Sequence, residues 1–452
     1  MKFLLRQFLT VVVVVLPGAV AFASDPRADA MPVSQQPGSY EGVSDEEITL
    51  EKAIAIALRQ NPMLQSSASG VSAAQAKLDQ AGLYSNPEFD LELENFWGDD
   101  ELDGFNGAET TFALSQTLLL GGKIAGRKGV AEADLALANR DLDAARLDIT
   151  AITTIAFNNV IVAQERVELT EELAELARSF DKTVNTRVEA GKVSPVEGIR
   201  TRAAVARAQV DVAKAKRALS AARVSLATTW GSSEPQFGRA VGQLRRPAPL
   251  PSRTVLDEML LQTPETARLT EELQRQEQVI KLEKARGVPD LTLTAGPRKY
   301  QETGSWAWVG GVSLPLPIFN RNQGARRAAE FELERTQHEV TAMRVALEGR
   351  LSRTLERLHA LGDEVRSYEQ EIVPASTEAF EAMSLGFREG KFGFLEVLDA
   401  QRSLSEAALL LLDSQQRYAA ARAELDRLVG RPMSPSAGPS SVTKETTQGE
   451  ER

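Results

Sequence analysis

The chain carries its own plan twice. Asn61-Pro62 returns as Thr263-Pro264, and Asn86-Pro87 returns as Val288-Pro289. Gly126, Arg127-Lys128 and Ala131-Glu132 return as Gly324, Arg326-Arg327 and Ala329-Glu330. Glu189-Ala190-Gly191-Lys192 is matched by Arg388-Glu389-Gly390-Lys391, Glu197 by Glu396, and Trp230-Gly231 by Val429-Gly430. The paired landmarks stay 198 to 202 residues apart. A constant offset over so many positions marks a duplicated unit, so the fold must be assembled from two similar halves. The halves read as residues 44–231 and 255–430, joined by a connector over 232–254 with Pro247, Pro249 and Pro251, and followed by a disordered tail over 431–452.

Proline placement supplies the element map. None occurs between Pro87 and Pro195, between Pro195 and Pro235, between Pro317 and Pro374, or between Pro374 and Pro432. Helix interiors exclude proline because it lacks the N–H and clashes with the preceding turn. These gaps are where long helices run. Inside them the apolar period is seven: Leu135, Leu142, Ile149 and Ala156 alternate with Ala138, Ala145 and Ile152. Val205, Val212, Leu219 and Leu226 form a second seam with Ala208, Ala215 and Ala222. Leu347, Thr354 and Leu361 with Leu351, Leu358 and Val365 form a third, and Leu404, Leu411, Tyr418 and Leu425 a fourth. Such spacing makes coiled-coil seams, and the alanines allow close approach. A helix from Lys123 to Thr186 would be roughly 95 Å long at ~1.5 Å per residue.

A plain coiled coil would satisfy the seams alone; the strands argue against it. Phe89, Leu91 and Leu93 alternate with Glu88, Asp90, Glu92 and Glu94, followed by Phe96-Trp97. Phe112 and Leu114 alternate with Thr111, Ala113 and Ser115. In the second half Leu291, Leu293 and Ala295 alternate with Thr292 and Thr294, and Trp306, Trp308, Gly310, Val312, Leu314 and Leu316 share a face. One apolar face with terminal aromatics is what a membrane β-barrel strand needs. Hairpins are expected over about 87–118 and 289–317, turning at Gly98-Asp99-Asp100 and Glu302-Thr303-Gly304. Phe96, Trp97, Trp306 and Trp308 then form an aromatic girdle. Glu88, Asp90, Glu92 and Glu94 line the lumen, since carboxylates face lipid only at high cost, and the lumen is cation-tolerant or merely wettable. Four strands cannot close a barrel whose smallest form has about eight, and open edges are not tolerated in lipid. Membrane insertion therefore demands a symmetric homo-oligomer.

Composition narrows the rest. With 52 Lys+Arg against 63 Asp+Glu, the net charge is −11. An acidic chain without a basic block argues against nucleic acid as a partner. Cysteine is absent and only His338 and His359 are present, which removes thiol chemistry, disulfides, a lipid-bearing N-terminal Cys and imidazole-rich sites. His338-Glu339 lacks the second His of a zinc-protease helix, and Gly122-Lys123 lacks the upstream glycine of a phosphate loop. The chain reads as no enzyme, with no cofactor and no resident metal. Lys2 and Arg6, the apolar run Phe8–Leu16, Pro17-Gly18 and Ala21-Phe22-Ala23 fit a signal peptide over 1–23, with a linker over 24–43. Its removal would leave 50 − 63 = −13.

Over about residues 45–430 the chain resembles the TolC-like outer-membrane factors of tripartite efflux pumps. The matching motifs are Gly121-Gly122-Lys123, Arg187-Val188-Glu189-Ala190-Gly191, Leu314-Pro315-Leu316-Pro317-Ile318-Phe319-Asn320-Arg321-Asn322-Gln323-Gly324, and Gly390-Lys391-Phe392-Gly393-Phe394-Leu395-Glu396-Val397-Leu398-Asp399-Ala400-Gln401. The Leu-Pro-Leu-Pro run looks most like the branch serving cobalt–zinc–cadmium type heavy-metal pumps. The resemblance implies a mainly α fold with a membrane β-barrel: a trimer forming one twelve-stranded barrel continued by a long α-helical tunnel in the periplasm. It implies a periplasmic adaptor and an inner-membrane RND transporter as partners, and passive exit of divalent heavy-metal cations. Organic-solute efflux and type I secretion remain open, as does a periplasmic coiled-coil scaffold outside the membrane.

The same resemblance assigns roles at the helix turns farthest from the barrel. Gly191, Lys192 and Val193, with Gly390, Lys391 and Phe392, are the expected adaptor-docking tips. Gly191 and Gly390 also fit helix C-terminal caps, and Pro195 fits the first position of a returning helix. Glu396 and Asp399, three apart and so on one helix face, match the family's acidic constriction, with Glu197 at the corresponding place in the first half. As plain residues they also fit a solvated helix face, and Phe387 and Phe392 fit either a closed tip or a core.

Overall fold

A computed structural model of the chain describes residues 47–97, 105–244 and 246–431. The expected signal peptide, linker, first hairpin turn and all but the first residue of the tail lie outside the described residues. Each half begins with two helices. In the first, β1 (Glu47–Ile48) leads to α1 (Leu50–Gln60) and α2 (Pro62–Ala81), then strands β2 (Glu88–Glu94) and β3 (Glu109–Leu118). Two long helices follow, α3 (Lys123–Glu189, 67 residues) and α4 (Pro195–Thr228). The connector contributes β4 (Arg239–Ala240). The second half repeats the order with α5 (Arg253–Leu261), α6 (Pro264–Arg286), β5 (Leu291–Tyr300), β6 (Trp306–Ser313), α7 (Gln323–Ser367), α8 (Val373–Arg388) and α9 (Phe394–Leu428).

The landmarks that reveal the duplication are helix caps. The Asn61 side-chain oxygen accepts from the N–H groups of Met63 and Leu64, Pro62 starts the helix, and the Asn61 amide donates to Thr229 O at 2.8 Å. Thr263 and Pro264 do the same for α6, where Thr263 accepts from Thr266 N. A capping oxygen supplies the acceptor that orphan N–H groups lack, and proline at the first position forfeits nothing. Gly231 and Gly430, both at positive φ, close each half against these caps: a Cβ on Gly231 would lie 3.0 Å from Pro62, and one on Gly430 3.3 Å from the Thr263 methyl.

Helices associate around three apolar clusters. Ile48, Ala53, Phe157, Val160, Leu226 and Trp230 form the first, covered by Phe237 edge-on to Trp230 at 6.2 Å. Its rim is the parallel pairing of β1 with β4, which ties the segment just before α1 to the connector. The second holds Leu256, Leu260, Leu347, Leu351, Leu358, Leu361 and Val365 with Tyr418 and Leu425. The third sits at the far helix turns and holds Val184, Phe387, Val397 and Leu398. The third expected seam is buried throughout, Thr354 included. The first seam departs from its heptads: Ile152 is 52% exposed while Thr153 is fully buried. A nearly straight 3.6-residue helix drifts against a 3.5 repeat, so the core stripe moves off the heptad line.

The long helix of the second half is not one uniform helix. A π-helical turn, Tyr368–Ile372, separates α7 from α8 immediately before Pro374. The wider turn accommodates a proline that cannot donate to the preceding ladder.

All four long strands form one antiparallel sheet ordered β2-β3-β5-β6, so the two hairpins join through β3 and β5. Directly opposed residues share a face. The register therefore collects Glu88, Asp90, Glu92, Glu94, Glu109, Thr111, Ser115, Thr292, Thr294 and Arg298 on one side. Phe89, Leu91, Leu93, Phe112, Leu293, Trp306, Trp308 and Val312 lie on the other. The strand expected to run through Leu316 ends at Ser313. Pro315 and Pro317 have no N–H to continue a ladder.

Candidate functional site

Two regions gather the residues singled out by sequence: the far helix turns and the sheet. At the turns, Gly191 (φ +69) and Gly390 (φ +79) take left-handed conformations. Each closes a Schellman-type cap, with Lys192 N donating to Arg187 O at 2.9 Å and Lys391 N donating to Gly386 O at 2.8 Å. Pro195 begins α4 behind the Ser194 cap. Around both glycines there is open space, so their constraint is the backbone dihedral alone.

The two turns are bound to each other. Arg187 donates to Phe387 O at 2.7 Å and lies 4.6 Å above the Phe387 ring, which is 5.3 Å from Phe180. Phe387 is 2% exposed and belongs to the core. Phe392 instead leans over Gly386, whose added Cβ would lie 2.2 Å from the ring, and is exposed on its outer side. Val196, Ile199, Leu385 and Leu395 are also exposed here. Hydropathy patterning passed over these four because they sit among helix-compatible neighbours. Above the turns a groove of about 720 Å³ runs between α3, α4 and α9, with Arg166, Arg200, Arg207 and Arg402 facing Asp211, Glu406 and Asp413.

Glu396 and Asp399 lie on the exposed side of α9, away from the buried Val397 and Leu398. Glu396 is in the first turn, with its carboxylate folded over Gly393: a Cβ there would stand 2.6 Å from Oε2. An acid at this position also favours the positive end of the helix dipole. Glu197 differs. It is half-buried and its carboxylate lies 3.6 Å from Arg200 of the same helix. Lys192 and Lys391 are exposed, Val193 packs beside the tip cluster, and Lys391 pairs with Glu389 at 2.6 Å.

On the sheet, Phe89 (69% exposed) and Trp308 (82%) stand free on the apolar side, Trp97 (84%) is exposed beyond the end of β2, and Phe112 stacks on Trp306 at 6.4 Å. On the polar side Ser115 donates to Asp90 at 2.7 Å, and Arg298 reaches Glu94 and Glu109, each at 2.8 Å. Where sheet meets helices, Asp290 accepts from Leu120 N at 3.0 Å and from Lys123 at 2.7 Å. Partial burial opposes ionisation of Asp290, but these hydrogen bonds and the Lys123 charge hold its carboxyl below the usual range. Gly121 and Gly122, both left-handed, turn β3 into α3 at this corner, with Gly121 pressed on Val288. Asn322 makes the equivalent left-handed corner before α7, donating to Glu283 O at 2.8 Å. His338 and His359 are exposed on α7. Among the described residues no three His, Cys, Asp or Glu side chains gather as a metal ion would require.

The family model described as outer membrane efflux protein matches the chain twice, over residues 53–232 and 255–431. The chain belongs to that family. It is an outer-membrane protein, its sheet a section of barrel wall and its helices the periplasmic tunnel. The chain is 33% identical over 385 residues to the cobalt-zinc-cadmium resistance protein CzcC of Cupriavidus metallidurans, covering 85% of this chain and 90% of that protein. It is 27% identical over 298 residues to the nickel and cobalt resistance protein CnrC of the same organism, covering 66% and 69%. The crystal structure of CusC matches with a TM-score of 0.72 at 19% identity, over 89% of this chain and 97% of that one. That likeness establishes the fold.

Proposed function

We propose that this outer-membrane efflux protein is the passive exit duct of a tripartite RND-type pump that expels divalent heavy-metal cations. The carrying observation is a four-stranded sheet with one apolar and one acidic face, mounted on long helices of which α3 alone is about 100 Å at ~1.5 Å per residue. Among the described residues the outer edges of β2 and β6 are unpaired, and lipid does not tolerate free edges. A homotrimer supplies the missing pairings and surrounds a channel with the acidic face. The likeness to CzcC and CnrC supports metal cations as cargo over organic solutes or secreted polypeptides. It also supports a periplasmic adaptor and an inner-membrane transporter as partners, the energy being spent at the latter. In this reading the Gly191–Val193 and Gly390–Phe392 turns dock the adaptor, Glu396 and Asp399 form the entrance constriction, and Glu197 supports it through Arg200. The chain has no catalytic part to play. Deletion of the gene tests the cargo: sensitivity to cobalt, zinc or cadmium salts, restored by the wild-type gene, is the expected result. Unchanged metal tolerance with new sensitivity to organic toxicants would reassign the duct.

A further inference from the structure

Among the described residues of the sheet's polar face, the sequence pattern marks Glu88, Asp90, Glu92 and Glu94 as lumen lining but not Glu109, whose partner, Arg298, is the one basic residue there. Glu109 faces Glu94 across β2 and β3, and Arg298 of β5 comes between them. Its Nη1 donates to Glu109 Oε2 at 2.8 Å, its Nη2 lies 2.8 Å from Glu94 Oε2, and its Nε donates to Thr111 Oγ1 at 2.8 Å. The three groups occupy the strand ends next to the hairpin turns, the end farthest from the helices. Toward the helices the same face carries Glu88, Asp90 and Glu92, which among the described residues meet no cation; Asp90 accepts only a hydroxyl, from Ser115.

We propose that Arg298 is a specificity-determining residue of the barrel, a fixed positive charge that ends the cation-attracting part of the lumen before the exit; this rests on the exit-duct reading above. Conduction requires sites attractive enough to enter and weak enough to leave. A wall carrying carboxylates of one sign to its rim would concentrate divalent cations at the mouth and hold them there. Arg298 engages two of the five strand carboxylates and leaves the three nearest the tunnel uncompensated. Cations are drawn in along Glu88, Asp90 and Glu92 and released where Glu94 and Glu109 are already paired. The clamp also spans both halves of the chain, so a purely mechanical strap is the competing account, and the two differ in what charge-preserving variants do.

Purified channels reconstituted in planar bilayers decide between them, using reversal potentials in a KCl gradient and the concentration of ZnCl2 that halves the current. R298Q is expected to raise the cation-to-anion permeability ratio by about threefold or more and to lower the half-blocking Zn²⁺ concentration by a similar factor. R298K keeps the charge and is expected to match wild type. E94Q/E109Q retains Arg298 against neutral partners and is expected to shift selectivity the opposite way. Wild-type selectivity and blockade in R298Q, or R298K behaving as R298Q does, would overturn the proposal. Should R298Q fail to insert, an unshifted E94Q/E109Q channel would overturn it equally. Loss of the duct reading looks different: wild-type protein would then form no conducting pore.

Discussion

At the scale of single residues, Asp290 and Glu396 show how position decides what a carboxylate does. Asp290 joins the corner of the first half to the strand of the second through Leu120 N and Lys123. Its folded carboxyl titrates below its unfolded value. The stabilisation is therefore complete above the unfolded carboxylate range and lost as pH falls through the lowered value in the folded protein. D290N removes the charge, and a cost of about 1 kcal/mol is expected from a charge-assisted bond at a partly exposed site. Thermal unfolding in detergent at neutral pH should show D290N less stable, with the gap closing as the buffer is acidified; an equal gap at all pH values would contradict this. Glu396 and Asp399 carry a different prediction. Both are exposed within one chain, and threefold assembly would bring six carboxylates toward one axis. E396Q/D399N keeps shape and hydrogen-bonding capacity, so folding should hold. Single-channel recordings should show weaker cation preference and less blockade by multivalent cations added at the periplasmic side. Unchanged blockade would leave Glu396 as a helix-start acid over Gly393 and no more.

At the scale of elements, the two helix turns are built alike and held together by Arg187 and Phe387. Replacing Gly191 or Gly390 with valine forces a β-branched residue to positive φ, a cost of roughly 1–2 kcal/mol confined to the cap. Crosslinking to the adaptor and metal resistance should fall, more in the double variant than in either single, while the barrel still assembles. Full resistance in the double variant would remove the tips from docking. These caps were legible because glycine, proline and a capping Ser, Thr or Asn are local signals that do not depend on what packs nearby. Strand faces were legible for the same reason, since a period of two fixes the face whatever the partner strand. The contacts that bind distant elements were not. Arg187 meets Phe387 across 200 positions, and nothing in the local pattern singles out Arg298, which the folded sheet brings to both Glu94 and Glu109. The π turn before Pro374 was equally hidden, because proline announces a break in the ladder without saying whether the helix bends, stops or widens.

At the scale of the molecule, the duplication predicts how copies meet. Within the chain, β3 joins β5 with Leu114 facing Ala295. The same junction between copies must pair β6 of one with β2 of the next, the second half's second strand against the first half's first. Pro87 and Pro289 fix the offset between β2 and β5 at 202, so Ala295 corresponds to Leu93. Leu114 faces Phe89, which corresponds to Leu291, and extending the β5–β6 register by one residue beyond Thr292 and Ser313 places Leu314 opposite Leu291. Leu314 should therefore face Leu93 of the neighbouring copy. Parity supports this: one residue earlier, Ser313 would face Glu94, and both belong to the polar side. Opposed Cβ atoms on antiparallel strands stand about 4.5–5.5 Å apart, close enough for engineered cysteines to cross-link. The natural chain contains no cysteine, so any disulfide reports the introduced pair alone. Oxidised L93C/L314C should run as covalent dimers and trimers on non-reducing gels and collapse to monomer on reduction. L93C or L314C alone should not form that ladder. A pair shifted by one residue, L93C with S313C, puts the thiols on opposite faces and should cross-link poorly. Efficient cross-linking of the shifted pair and none of the matched pair would mean that the copies do not repeat the junction each chain builds within itself.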